Sequence, residues 1–178
     1  MNRDRFTDMA CSVARTAALV GDPWTLLVLR DLFLGLSRFD ELHRDLGVAT
    51  NVLSDRLDRL MSSGLVERSP YQRNPVRYRY LLTEPGKQLY GVVMSLLAWG
   101  DRYLALDGAP MELVHRDCGE HMTPVVTCDN CGGELHVDDV EVLPGPGGRH
   151  APGTVVIAEM LTGHSGWKPD ARTSRDRV

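Results

Sequence analysis

The stretch SRFDELHRDLGVATNVLSDRLDRLMSSG, residues 37–64, decides the fold. Phe39, Leu42 and Leu46 recur at helical spacing with Asp40, Glu41, Arg44 and Asp45 between them, so one face turns inward and the other meets water. Ser37 is placed to cap this helix and Gly47 to end it. After Gly47-Val48-Ala49, Thr50 is placed to cap a second helix running to about Ser62, in which Leu53, Leu57 and Leu60 repeat at i, i+4 and i+7. Two short helices joined by a three- to four-residue turn containing Gly form the helix-turn-helix layout. Away from the leucines the second helix presents Asn51, Asp55 and Asp58, with Ser54 and Arg59 at the edges and Arg56 flanking the apolar stripe.

Working outward, Gly64 ends that helix and Leu65-Val66-Glu67-Arg68 opens a strand. Gln72-Arg73-Asn74-Pro75 reads as a turn, and Val76-Arg77-Tyr78-Arg79-Tyr80-Leu81 alternates with period two, as a half-buried hairpin strand does. Strand, turn and strand make a wing. Thr83 opens a long helix whose apolar positions run from Leu89 through Val92, Val93, Leu96, Leu97, Trp99 and Tyr103 to Leu104. At the edge of so small a domain it is expected to need a partner subunit to cover it. Upstream, Ser12 begins a short helix with Val13, Ala17 and Val20 at helical spacing and Gly21 as its stop. Asp22 then caps a new helix with Pro23 at its first position. The run from Trp24 to Leu34 is apolar on most sides and is expected to be the central core helix.

With 178 residues, 43% hydrophobic and 25% charged, the chain has the makings of one globular domain and a small appendage. No apolar run approaches the ~18 residues of a membrane span, and MNRDRFTDMA (1–10) has charges where a signal peptide needs apolar residues. These features predict a cytoplasmic protein with no membrane partner. The formal charge of −4 is unevenly divided: residues 1–106 carry net +2 and residues 107–178 net −6. Within the first part, Arg68, Arg73, Arg77 and Arg79 form a basic strip with no carboxylate between Arg68 and Arg79.

Several motifs, in order, carry a resemblance: CSVART (11–16), GDPWTLLVLR (21–30), RFDEL (38–42), NVLSDRL (51–57), and GLVER (64–68) with YRYLLT (78–83). Over about residues 9–106 the chain resembles the HxlR family of bacterial winged-helix transcription regulators. The resemblance implies a mainly α fold with a small β wing, and a homodimer that binds a pseudo-palindromic operator on double-stranded DNA through the helix at 50–62 and the wing. It implies a regulator, usually a repressor or activator of nearby genes; of the two, repression is the expectation taken here. Several members of that family sense oxidants or electrophiles through a cysteine near the position of Cys11, which makes Cys11 a candidate redox sensor, with Arg15 one helical turn away. The effector is then either a small molecule or an oxidant.

Physical chemistry supplies roles for the residues. Recognition helices present their N-terminal residues to base edges, so Thr50, Asn51 and Ser54 are the candidate base or phosphate contacts. Arg56 and Arg59 suit phosphates, and Arg73 and Arg77 of the wing suit the backbone or minor groove. Asp55 and Asp58 are each expected to orient an arginine, Asp55 with Arg59 being an i, i+4 pair of favourable order.

The segment 107–143 reads as a zinc-ribbon-like unit. His115-Arg116-Asp117-Cys118-Gly119 and Cys128-Asp129-Asn130-Cys131-Gly132 repeat the pattern ligand-x-x-ligand-Gly, the spacing that lets two side chains converge on one ion. Thr123–Thr127 is expected to carry the chain back as a strand. The candidate ligands of a structural zinc are His115, Cys118, Cys128 and Cys131, with His121 competing for the fourth place. Residues 144–178 read as a Gly/Pro-rich linker and a mostly flexible tail, with a short strand over Thr154–Ala158 and a disordered end from Lys168. An enzyme is excluded by lack of room for a catalytic domain, and Pro144 to His150 has neither the dinucleotide nor the phosphate-loop pattern. The alternative is a winged-helix and zinc-ribbon adaptor that binds proteins without sequence-specific DNA binding.

Overall fold

A computed structural model describes residues 4–161 and the backbone of 168–169. In chain order the elements are α1 (Asp4–Thr7), α2 (Ser12–Val20), α3 (Pro23–Phe33), α4 (Phe39–Leu46), α5 (Thr50–Ser62), β1 (Val66–Arg73), β2 (Val76–Leu82), α6 (Glu84–Gln88), α7 (Tyr90–Tyr103), β3 (Arg149–His150), α8 (Val155–Met160) and β4 (Lys168–Pro169). They fall into two compact units, Pro23–His136 and Met1–Asp22 with Val137–Val178.

The core of the larger unit is the meeting of three helices. Val28, Leu29 and Leu32 of α3, Leu42 of α4 and Leu53, Leu57 and Leu60 of α5 are all buried, and Val48, Leu65, Val66, Val93 and Met94 close the edges. Full burial of one such side chain stabilises by about 1.5–3 kcal/mol, so the leucine stripe fixes the rotation of α5 about its axis. α3 is buried along one broad face rather than on most sides, since Trp24 is exposed and Leu26, Leu27 and Phe33 are only half-buried. In α2 only Val20 is buried, and Val13 faces solvent.

The turn between α4 and α5 follows the expected chemistry. Gly47 takes φ +59°, and its N–H closes on the His43 carbonyl at 3.0 Å. α4 starts one residue later than the Ser37 cap implies, because the Ser37 carbonyl is occupied by the Tyr80 N–H at 2.6 Å. Glu41 does the capping instead: its carboxylate accepts the N–H groups of Ser37 at 3.1 Å and Arg38 at 2.9 Å. Thr50 is already the first helical residue, with Ala49 in the cap position.

β1 and β2 pair antiparallel from Val66–Leu82 to Arg73–Val76, with an irregularity between Pro70 and Gln72, and turn through Asn74-Pro75. The expected alternation holds at its centre, where Tyr78 and Tyr80 are half-buried and Arg77 and Arg79 exposed. The long helix expected from Thr83 is in fact two, α6 and α7, divided at Leu89. The cause lies at Gly86, which sits so close to strand β1's entry that a Cβ there would stand 2.0 Å from the Leu65 carbonyl oxygen. That same carbonyl accepts the Thr83 N–H at 3.1 Å, and the Thr83 hydroxyl donates to the Gly64 carbonyl at 2.6 Å. α6 is therefore pinned to the end of α5, and α7 begins after Leu89.

The smaller unit corrects the reading of the tail. Thr154–Ala158 contributes to helix α8 rather than a strand: the Ala158 N–H bonds the Thr154 carbonyl at 2.8 Å, and Ala151 and Ala158 are buried. Val155, Val156 and Ile157 favour strand intrinsically, but the turn before them, with Gly153 at φ +94° against Met9 and the Thr154 hydroxyl bonded to the Arg149 carbonyl, starts a helix. β3 and β4 pair in parallel over two residues each. Lys168–Pro169 therefore belongs to a strand, and the rest of the end expected to be disordered, 170–178, lies outside the described residues. Thr123–Thr127 forms no strand; only isolated pairings join Val114 to His121 and Thr127 to Glu134. Among the described residues no helix is long and apolar enough to cross a membrane.

Gly86→Ala is expected to lower stability by about 1–3 kcal/mol through overpacking against the Leu65 carbonyl. Gly91→Ala, whose Cβ meets nothing within 4 Å, should be neutral or raise stability by up to about 1 kcal/mol. Denaturant midpoints measured at constant m-value check the contrast.

Candidate nucleic-acid interface

Because Leu53, Leu57 and Leu60 face the core, the remaining arc of α5 faces out. Thr50, Asn51, Ser54, Asp55, Asp58 and Arg59 are all exposed, whereas Arg56, flanking the leucines, is half-buried. The expected Asp55–Arg59 pair forms, with Arg59 Nε 3.0 Å from Asp55 Oδ2, and Arg56 Nη1 bonds the same carboxylate oxygen. One carboxylate thus holds two guanidinium groups on the face of the helix. Behind this face the Tyr80 phenol is pushed above its ordinary range by burial, with Arg68 opposing the rise and Asp58 adding to it.

The wing exposes Arg73 and Arg77 next to its tip, with Arg73 opposite Val76 and Arg77 opposite Gln72. Of the basic strip, Arg68 is stacked over the Tyr78 ring, 4.6 Å from its centroid. The Arg38 guanidinium stands likewise 4.7 Å over the Tyr71 ring, and the Arg38 backbone pairs antiparallel with that of Arg79. Sequence reasoning assigned Arg38 no role; its one signal was the acceptor Glu41 three residues on, which fixes the backbone beneath it.

A second polar network also escaped the sequence. Arg30 of α3 bonds Asp31 Oδ1 at 2.6 Å and reaches Asp45 Oδ2 of α4 at 2.9 Å, which ties the two helices together. Asp31 is buried, and its Oδ2 has no hydrogen-bond partner among the described residues. Burial therefore raises its pKa from the usual carboxylate value, against the opposing pull of Arg30.

Beyond α7 all cysteines are free thiols. His115 Nδ1 lies 3.4 Å from Cys118 Sγ. Cys128 is held below the ordinary thiol range by the N–H groups of Cys131 and Asn130 and then by the Cys131 thiol. The structure thus brings the four candidate ligands together as two pairs. Among the described residues no three His, Cys, Asp or Glu side chains gather closely enough to hold one ion. His121 stands apart from both pairs in its bonding, its Nδ1 3.4 Å from Glu112 Oε2. Cys11, in the smaller unit, is half-buried at the cap position of α2.

A helix-turn-helix followed by a two-stranded wing defines a winged-helix protein, the class that presents one helix to the DNA major groove. Comparison with known proteins places the chain within that class. The model of the HxlR-like helix-turn-helix family matches residues 19–107. An HTH-type transcriptional regulator of Mycobacterium tuberculosis strain H37Rv is 45% identical over 137 residues, covering 76% of this chain and 87% of that protein. Two solved structures of proteins assigned as transcription factors are also similar. PA1607 shares 32% identity at a TM-score of 0.69 over 78% of this chain and 97% of its own. PA1374 of Pseudomonas aeruginosa shares 37% at a TM-score of 0.55 over 76% and 93%. The chain belongs to the HxlR-like helix-turn-helix family of transcriptional regulators, which are not enzymes. The mycobacterial alignment is longer than residues 1–107 can supply, so the similarity runs on past the winged helix.

The Ser37 and Arg38 N–H groups hold the Glu41 carboxyl below its ordinary value of 4.5. A lowered folded-state pKa means stabilisation that is complete above that value and is lost as pH falls through the lower one. Glu41→Gln should therefore be less stable than the parent at neutral pH. The gap should close on acidification below about pH 4.5, as read by denaturation across a pH series.

Proposed function

We propose that the chain is a sequence-specific transcription repressor that acts in the cytoplasm as a homodimer on a pseudo-palindromic operator. The observation that carries this reading is the exposed N-terminal face of α5, where Thr50, Asn51 and Ser54 stand free of the buried leucine stripe. Asn pairs bidentately with adenine, and Ser and Thr serve either base edges or phosphates. Arg56, Arg59, Arg73 and Arg77 take phosphate contacts, two on the recognition helix and two on the wing. Asp55 pre-orders Arg56 and Arg59, so less side-chain entropy is lost when DNA arrives. Residues 9–106 form the DNA-binding and dimerisation part, 107–143 the metal-binding appendage and 144–178 the linker and tail.

The homodimer rests on α7. Val92, Leu96, Trp99 and Tyr103 are each exposed and recur at i, i+4, i+7 and i+11, a continuous apolar stripe of the kind that a second copy covers. Two recognition helices held about 34–36 Å apart read the two half-sites, and repression follows from occupancy. An effector has two candidate entry points. One is a groove of about 260 Å³ between α3 and α7, lined by Leu26, Leu27, Val93, Leu96, Leu97 and Met111. The other is the Cys11 thiol.

Selection of bound duplexes from a random pool at about 0.15 M salt is expected to return an inverted repeat. Its failure would favour the adaptor reading. Asn51→Ala should relax discrimination at one position of each half-site, whereas Arg73→Ala should weaken all sequences alike and reduce the salt slope by about one. Leu96→Glu should give monomers by sedimentation, and operator affinity should fall by at least about 100-fold once half-sites are no longer linked.

A further inference from the structure

The segment 107–136 contains one hairpin twice. In the first copy the His115 N–H bonds the Glu120 carbonyl at 2.9 Å, the Gly119 N–H bonds the His115 carbonyl at 2.8 Å, and the Met122 N–H bonds the Leu113 carbonyl at 2.9 Å. Thirteen residues later the same three bonds recur, Cys128 to Gly133 at 2.8 Å, Gly132 to Cys128 at 2.8 Å and Leu135 to Val126 at 2.9 Å. Gly119 and Gly132 take nearly the same left-handed turn, φ +75° and +73°. The isolated pairings Val114–His121 and Thr127–Glu134 keep the same offset.

This duplicated unit has no core of its own. From 107 to 136 no residue is buried, and only Leu113, Pro124 and Cys128 are half-buried. A unit this small without a hydrophobic core is ordinarily stabilised by disulfides or a metal, and its cysteines are free thiols. We propose that the two hairpins are the halves of one structural zinc site, closed by His115, Cys118, Cys128 and Cys131.

Three geometric facts support this assignment. With Zn–N of about 2.0–2.1 Å and Zn–S of about 2.3 Å, neighbouring ligands of a tetrahedral site stand about 3.5 Å apart, and His115 Nδ1 and Cys118 Sγ stand at 3.4 Å. In the second hairpin the N–H groups of Asn130 and Cys131 are directed at Cys128 Sγ, which is the support that a metal-bound sulfur needs from its surroundings. His121, the rival fourth ligand, is placed beside Glu112 instead. Since the two pairs are not yet gathered round one point among the described residues, binding includes drawing one hairpin to the other. No buried side chain opposes that movement. Each cysteine gives up its thiol proton on ligation, so loading from the thiol form releases three protons per ion and leaves a site of net charge −1. Four protein ligands leave no position for a reactive water, and the role is structural.

The test uses the full chain, reduced and freed of metal, then titrated with Zn²⁺ or Co²⁺ alone. The expected result is one ion per chain, tetrahedral ligand-field and sulfur-to-metal charge-transfer bands with Co²⁺, and slowed amide exchange at 113–135 on loading. Cys128→Ser and His115→Ala should each weaken Zn²⁺ binding by at least about 100-fold, His121→Ala should not, and the helical circular dichroism of all three should match the parent. No metal uptake at micromolar zinc, half an ion per chain, binding that survives Cys128→Ser, or loss with His121→Ala in place of His115→Ala would each overturn the assignment. DNA selection on the same preparation reads the regulator function separately.

Discussion

Burial of Leu53, Leu57 and Leu60 is the constraint from which the rest of the larger unit follows. All three sit at 1% exposure against α3 and its neighbours, and no rotation of α5 keeps them there while presenting a different set of polar residues. The outward face is thus determined by what must be hidden. A single apolar period settles both stability and which side chains are offered to a ligand, a coupling common to helices that work on one face and pack on the other.

Two polar fixings join the elements around that helix. The Arg30 bridge to Asp31 and Asp45 joins α3 to the end of α4, and the clasp at the Leu65 carbonyl joins the end of α5 to α6. Neither need add much stability. Asp31 is buried with one oxygen unsatisfied, a desolvation cost that its pairing with Arg30 offsets only in part, so the bridge adds less stability than its short distances suggest. Gly86 contributes by what it lacks, since only a residue without Cβ lets the carbonyl come so close.

The fold was legible wherever local signals agreed. The leucine period, Gly47 and the alternation around Tyr78 each combine propensity with pattern, and each appears as read. What misled were signals with a tertiary competitor. Ser37 looked like a cap, yet its carbonyl was already taken by Tyr80. The apolar run after Thr83 looked like one helix, yet contact between Gly86 and β1's entry divides it. The β-branched run at Val155 looked like a strand, yet the turn at Gly153 starts a helix. At the candidate interface the polar residues of α5 were legible from the wheel. The stacking of Arg38 on Tyr71 was not, because those residues lie far apart in sequence and meet only when the wing folds over α4.

The hairpins of 107–136 keep their shape through backbone bonds and two left-handed glycines. Most of their side chains therefore carry no packing duty, and substitution at such positions leaves the framework intact. A unit of this kind can be copied in tandem and attached to a winged helix without disturbing the existing core. Because no residue of 107–136 is buried, such substitutions also leave the packed helices of the winged part untouched.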